Sequence, residues 1–237
     1  MLEFLSTLHW GAVLQIVAID ILLGGDNAVV IALACRNLPA SQRLRGVIWG
    51  TAGAIVLRVV LIAFAVVLLD VPFLKFAGGV LLLWIGIKLM APSADAHDDI
   101  KPADKLWAAV KTIVIADAVM SLDNVIAIAG AAERADPGHR LALVIFGLVV
   151  SVPIIVWGST LVLKMLDRFP IVVTLGAGLL GWIAGGLMVN DPAGDRWPLL
   201  DTPAAIHGAS IAGALLVVAA GYALRRRRHA SGAPGSH

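Results

Sequence analysis

The chain has 237 residues, 59% of them hydrophobic and 14% charged, with a formal net charge of +2. A soluble domain of this length cannot hide so much apolar side chain, so the solvent for most of it is a bilayer. The small net charge argues against nucleic acid as a partner, and the single cysteine, Cys35, excludes an intrachain disulfide and a thiolate-built metal site.

Seven apolar stretches follow in chain order, at 8–34, 46–69, 72–90, 107–132, 141–163, 170–188 and 204–224. A helix crosses a bilayer with about 20 apolar residues, and no stretch alternates like a barrel strand. The expected fold class is an all-α membrane protein with seven transmembrane helices. The start, Met1-Leu-Glu-Phe, lacks the basic region of a cleaved signal peptide, so the first span is expected to be retained.

Basic residues set the expected orientation. With the N-terminus outside, the inner side holds Arg36, Arg43, Arg45, Lys88, Lys101, Lys105, Lys111, Lys164, Arg168 and the arginines at 225–228. The outer side holds only Lys75, Arg134, Arg140 and Arg196, and Arg58 alone lies deep in a span. The chain therefore reads as N-out and C-in. The segment 91–106 becomes a cytoplasmic linker; its Asp95, His97, Asp98, Asp99 and Asp104 read as a solvated stretch rather than a metal site. Residues 190–203 form an outer loop, and 225–237 a basic, disordered tail.

A repeat lies inside the spans. "IVAIDILLGGDNAVVIALA" (16–34) aligns with "IVIADAVMSLDNVIAIAGA" (113–131). At an offset of 97, Asp20 meets Asp117, Asp26 meets Asp123, Asn27 meets Asn124, Arg43 meets Arg140 and Gly50 meets Gly147. At an offset of 98, Pro72 meets Pro170, Gly78 meets Gly176 and Trp84 meets Trp182. Two three-helix repeats result, at 1–90 and 107–189. Three is odd, so the second enters the membrane inverted, a plan that puts transport sites near the midplane. The seventh helix, at 204–224, has no counterpart. Its Gly208, Ala212, Gly213, Ala214 and Gly221 permit close packing.

Carboxylates in mid-bilayer cost several kcal/mol each, so four of them must face one another, a cavity, a cation or water. Asp20 and Asn27 are seven residues apart and share a helix face, as do Asp117 and Asn124. Asp26 would point away unless the helix breaks at Gly24-Gly25. In antiparallel spans, Asp20 should share a level with Asp123, and Asp26 with Asp117. The expected ion site is Asp20, Asp26, Asn27, Asp117, Asp123 and Asn124, with Ser121 as a further oxygen. Oxygen-only ligands suit hard dications such as magnesium, calcium and manganese. Crowded carboxylates raise one another's pKa, which gives a physical basis for proton coupling. Arg58 can offset the acids when metal is absent; its counterpart is Ile155. A network that merely joined helices would need no acids, because interhelical hydrogen bonds contribute only about 0.6 kcal/mol.

The paired "GGDN" (24–27) and "SLDN" (121–124), each with an aspartate six residues before its own, resemble the TerC family of integral membrane proteins. The inverted six-span plan resembles the wider LysE-type exporter superfamily. The resemblance implies export of a divalent metal, manganese foremost, through those six residues, with no organic cofactor. Two other readings keep the same architecture: a membrane partner that supplies metal to secreted enzymes, and an exporter of a small organic solute. An intramembrane aspartyl protease is disfavoured, because its Tyr-Asp motif is missing and the one tyrosine is Tyr222. The expectation is a transporter and not an enzyme. Residue patterns do not fix the oligomeric state.

Overall fold

The computed structural model describes residues 14, 16–18, 20, 25–64, 71–90, 102–132, 140–193 and 202–231. Among these residues there is no strand. The helices are α1 (Gly25–Cys35), α2 (Ala40–Ala63), α3 (Leu74–Met90), α4 (Pro102–Ala132), α5 (Arg140–Arg168), α6 (Pro170–Val189) and α7 (Pro203–Ser231). Residues 16–18 and Asp20 are helical too. Among the described residues, four stretches are long and apolar enough to cross a membrane: Ala40–Ala63, Val144–Arg168, Pro170–Val189 and Pro203–Arg226. The protein is thus all-α and integral to a membrane. Many large apolar side chains are exposed, among them Trp49, Trp107, Trp157 and Leu215, as lipid solvation requires.

Helix ends follow local chemistry. α4 and α6 open on Pro102 and Pro170, where a missing N–H costs nothing. α7 does not stop at 224. It continues through the arginines to Ser231, because arginine is a good helix former and its charge complements the carboxyl end of the dipole. The expectation of a disordered tail from 225 is corrected to that extent; 232–237 lie outside the described residues, as does most of the linker, 91–101.

The chain divides into two compact units. One comprises Met1–Val71 with Pro102–Lys164; the other comprises Pro72–Lys101 with Met165–His237. Each unit draws on both sequence repeats, so the linear halves at 1–90 and 107–189 are not the compact bodies.

In the first unit, α2 runs parallel to α4. Gly46 lies against Leu106, Gly50 against Ile113 and Gly53 against Val114. α5 runs parallel to the first segment, with Gly147 against Ile16 and Gly158 against Ala28. These packings are reciprocal. A Cβ on Gly50 would come 3.2 Å from Cβ of Ile113, and one on Gly147 would come 3.1 Å from Cβ of Ile16. Both members of one pair become the other at the offset of 97.

In the second unit the same reciprocity holds at the offset of 98. A Cβ on Gly79 would sit 2.8 Å from the Ala184 carbonyl oxygen, and one on Gly86 would sit 3.4 Å from that of Ala177. α3 and α6 are antiparallel, and their ends are fastened by Asp191. Its Oδ1 accepts from the backbone N–H of Phe73 and of Ala193, both at 2.8 Å, and its Oδ2 accepts from that of Phe76 at 3.0 Å. Phe73 sits in the left-handed region, at φ 65°, where a side chain costs roughly 1–2 kcal/mol. α7 packs antiparallel on α6, with Gly213 against Gly181 and Ala209 against Gly185, backbone to backbone. Gly221 meets Met90, while Gly208 has nothing close to it.

Candidate cation site

The polar interior of the first unit forms on the buried stripes of its helices. On α2 the stripe is Val47, Gly50, Thr51, Ala54 and Arg58, a helical repeat of three and four. On α4 it includes Ile113, Ala116, Asp117, Met120, Ser121 and Asn124. On α5 it includes Val144, Leu148, Ser151, Ile155 and Ser159.

Arg58 is 3% exposed and sits between two carboxylates. Its Nη1 donates to Asp20 Oδ1, and its Nη2 donates to Asp117 Oδ1 at 2.5 Å. Its Nε donates to Ser121 Oγ at 3.0 Å, and Ser121 Oγ donates to Asp117 Oδ2 at 3.1 Å. Ser151 Oγ donates to Asp20 Oδ2. All four carboxylate oxygens are therefore held, two by one guanidinium and two by serine hydroxyls. Two carboxylates share a single full positive charge.

Asp20 is 1% exposed and Asp117 5%. These are repeat counterparts, and they converge on one side chain. The planar guanidinium fork reaches the two acceptors at once. The expected pairing of Asp20 with Asp123 falls on a side chain outside the described residues. Asp123 lies in α4, with its side chain outside the described residues.

Asp26 and Asn27 occupy the first turn of α1. Asn27 is 3% exposed and Asp26 is half-buried, so Asn27 and Asp20 both face inward, in line with their spacing. Asp26 Oδ1, both polar atoms of the Asn27 carboxamide, and Thr51 Oγ1 are buried without a hydrogen-bond partner among the described residues. Buried polar atoms in that condition call for a ligand, water or ion. Asp26 is within electrostatic reach of Asp117 and Arg58. Asn124 is buried on α4, two turns from Asp117. Helix α1 begins at Gly25; the expected break at Gly24 lies outside the described residues.

Among the described residues, no three His, Cys, Asp or Glu side chains gather into a ready-made metal cage. What gathers is a pair of aspartates closed over an arginine, with unmet oxygen and nitrogen atoms at the start of α1.

Residues 5–229 match the integral membrane protein TerC family. The chain belongs to the TerC family. It is 47% identical over 180 residues to the uncharacterized membrane protein YjbE of Bacillus subtilis, covering 76% of this chain and 80% of that one. It is 24% identical to the uncharacterized membrane protein YceF of the same organism, over 74% of this chain and 69% of that one. The UPF0053 protein YegH of Escherichia coli is 26% identical, over 76% of this chain but only 37% of its own length. No solved structure matches.

In this TerC protein, Asp20, Asp117, Arg58 and Ser121 were all legible as polar intrusions into apolar spans. Ser151 and Thr51 were not. Their signal is position on the inward stripe: Ser151 follows Val144 by seven residues, and Thr51 precedes Arg58 by seven.

Proposed function

We propose that this membrane protein exports a hard divalent cation, manganese foremost, across the bacterial cytoplasmic membrane. The cation passes through the interior that holds Asp20, Asp26, Asn27, Asp117, Asp123 and Asn124. Magnesium and calcium have the same ligand chemistry. The observation that carries this reading is the buried pair Asp20 and Asp117, bridged by Arg58, beside the unpaired Oδ1 of Asp26 and carboxamide of Asn27. Such a cluster costs stability in a membrane, where intramembrane acids mark ion pathways. The ligands are all oxygen, which suits a hard dication and disfavours a zwitterionic solute.

The architecture we propose has seven alternating spans, N-out and C-in, with two inverted repeats. Helix directions support it within each unit: α2 with α4, and α3 with α7, run parallel, while α3 and α6 are antiparallel. The reciprocal contacts at Gly50 and Gly147, and at Gly79 and Gly86, are what a two-fold axis between repeats produces. Asp26, whose Oδ1 has no hydrogen-bond partner among the described residues, offers a proton acceptor once metal leaves, which favours proton exchange as the coupling.

The test uses cells that lack their own manganese exporters. Wild type, Asp26→Asn and Asp117→Asn are compared at equal membrane abundance. Wild type lowers cell manganese, and either substitution abolishes the effect. Unchanged manganese with abundant, folded wild-type protein rules manganese export out.

A further inference from the structure

We propose that Arg58 is a tethered cation that takes the transported ion's place on Asp20 and Asp117 whenever the pathway is empty. The inference rests on the transport reading and adds how the empty carrier is neutralised.

Three observations carry it. First, the guanidinium engages both aspartates, and the serines take their remaining oxygens. A dication needs those oxygens at about 2.0–2.6 Å, so metal and guanidinium compete for the same carboxylate oxygens and for the same negative charge. Second, Arg58 is present in one repeat only. Its counterpart on α5 is Ile155, which is also buried. Neither repeat symmetry nor helix packing demands a cation at that level, whereas one charge added asymmetrically serves both halves of a symmetric acid pair. Third, the unpaired polar atoms lie elsewhere, at Asp26, Asn27 and Thr51. An entering cation can gain these ligands first and displace Arg58 afterwards.

The arrangement has a kinetic consequence. With Arg58 in place, the empty protein buries one uncompensated charge fewer and can return to collect the next ion. Without Arg58, the aspartates retain the metal. Metal-for-metal exchange then continues while net export stalls.

The experiment uses the full chain in liposomes, with manganese as the probe. Three quantities are read for wild type, Arg58→Gln and Arg58→Lys: manganese affinity, net flux, and exchange of isotopic manganese at equal concentration on both sides. Arg58→Gln should bind manganese about tenfold more tightly, an ordinary coupling between competing ligands. Its net flux should fall about tenfold or more while exchange persists. Arg58→Lys keeps the charge without the fork, and serves if the glutamine variant does not fold; it should bind at least as tightly as wild type and retain measurable net flux. Weaker binding in either folded variant, or loss of exchange together with net flux, overturns the proposal and makes Arg58 an organiser of the site. A folded wild type that neither binds nor moves manganese is a separate result, which removes the transport reading itself.

Discussion

Asp191 joins the end of α6 to the start of α3, and removing its carboxylate should loosen the second unit. The side chain is 4% exposed and accepts three backbone N–H bonds, two of them from the open N-terminal turn of α3. Burial alone would raise its pKa. The backbone N–H groups of Phe76, Ala193, Phe73 and Lys75 together outweigh burial and hold the carboxyl below its ordinary value. Asp191→Asn keeps one oxygen but turns an NH2 toward a backbone donor. Loss of an N-terminal cap costs about 0.5–2 kcal/mol, and hydrogen bonds to a charged acceptor contribute about 1.5–3 kcal/mol each. A total near 2 kcal/mol is expected after partial rehydration of the freed donors. At roughly 2–4 °C per kcal/mol for a chain of this size, thermal unfolding in detergent, followed by circular dichroism, should drop by about 4–8 °C at pH 7. The pH dependence has a definite sign. A carboxyl with a depressed folded pKa stabilises fully above its unfolded value of about 3.9, and loses that contribution as pH falls through the folded pKa. The gap between wild type and variant should therefore narrow below about pH 4. Equal midpoints at pH 7, or a gap that stays constant into acid, would refute the clamp.

Two other substitutions test the packing on either side. Ser151→Ala removes the donor to Asp20 Oδ2 and leaves a buried carboxylate oxygen unmet, at about 1–3 kcal/mol; thermal stability should fall, with recovery in Ser151→Thr if the hydroxyl is what matters. Gly185→Leu forces a side chain into the Ala209–Ser210 backbone, whose Ser210 Cα would lie 2.9 Å from the new Cβ. The cost should exceed the roughly 1–3 kcal/mol of ordinary overpacking, because neither backbone can rotate away. Gly208→Leu, in open space, is the matched control and should unfold near the wild-type temperature.

Much of the site was readable because a bilayer makes polar residues conspicuous. Asp20, Asp117 and Arg58 stand out in apolar spans, and the offset of 97 pairs the two aspartates. Their meeting on one guanidinium was not readable. Helix spacing gives each residue a face and a depth, but not which acceptors the two ends of a long forked side chain will reach. Ser151 escaped notice because a serine in a helix often bonds its own backbone. Asp191 looked like an ordinary outer-loop acid, and only the approach of α3 adds two donors to the local N–H of Ala193. The glycines of α7 were legible as a packing surface, but not which of them touch: Gly213 and Gly221 do, whereas Gly208 does not.

The division of each compact unit between the two repeats bears on biogenesis. Synthesis delivers Asp20 and Arg58 on successive segments, so the first acid to enter the membrane finds its counter-charge within one helical hairpin. Asp117 and Ser151 arrive on later segments, after the ribosome has made the whole of the second unit's first helix. The cluster thus assembles in two stages. The Asp20–Arg58 pair is complete in the chain before Asp117 and Ser151 are made. A chain truncated after α3 should therefore insert with its Asp20–Arg58 pair, while the rest of the cluster waits for α4 and α5.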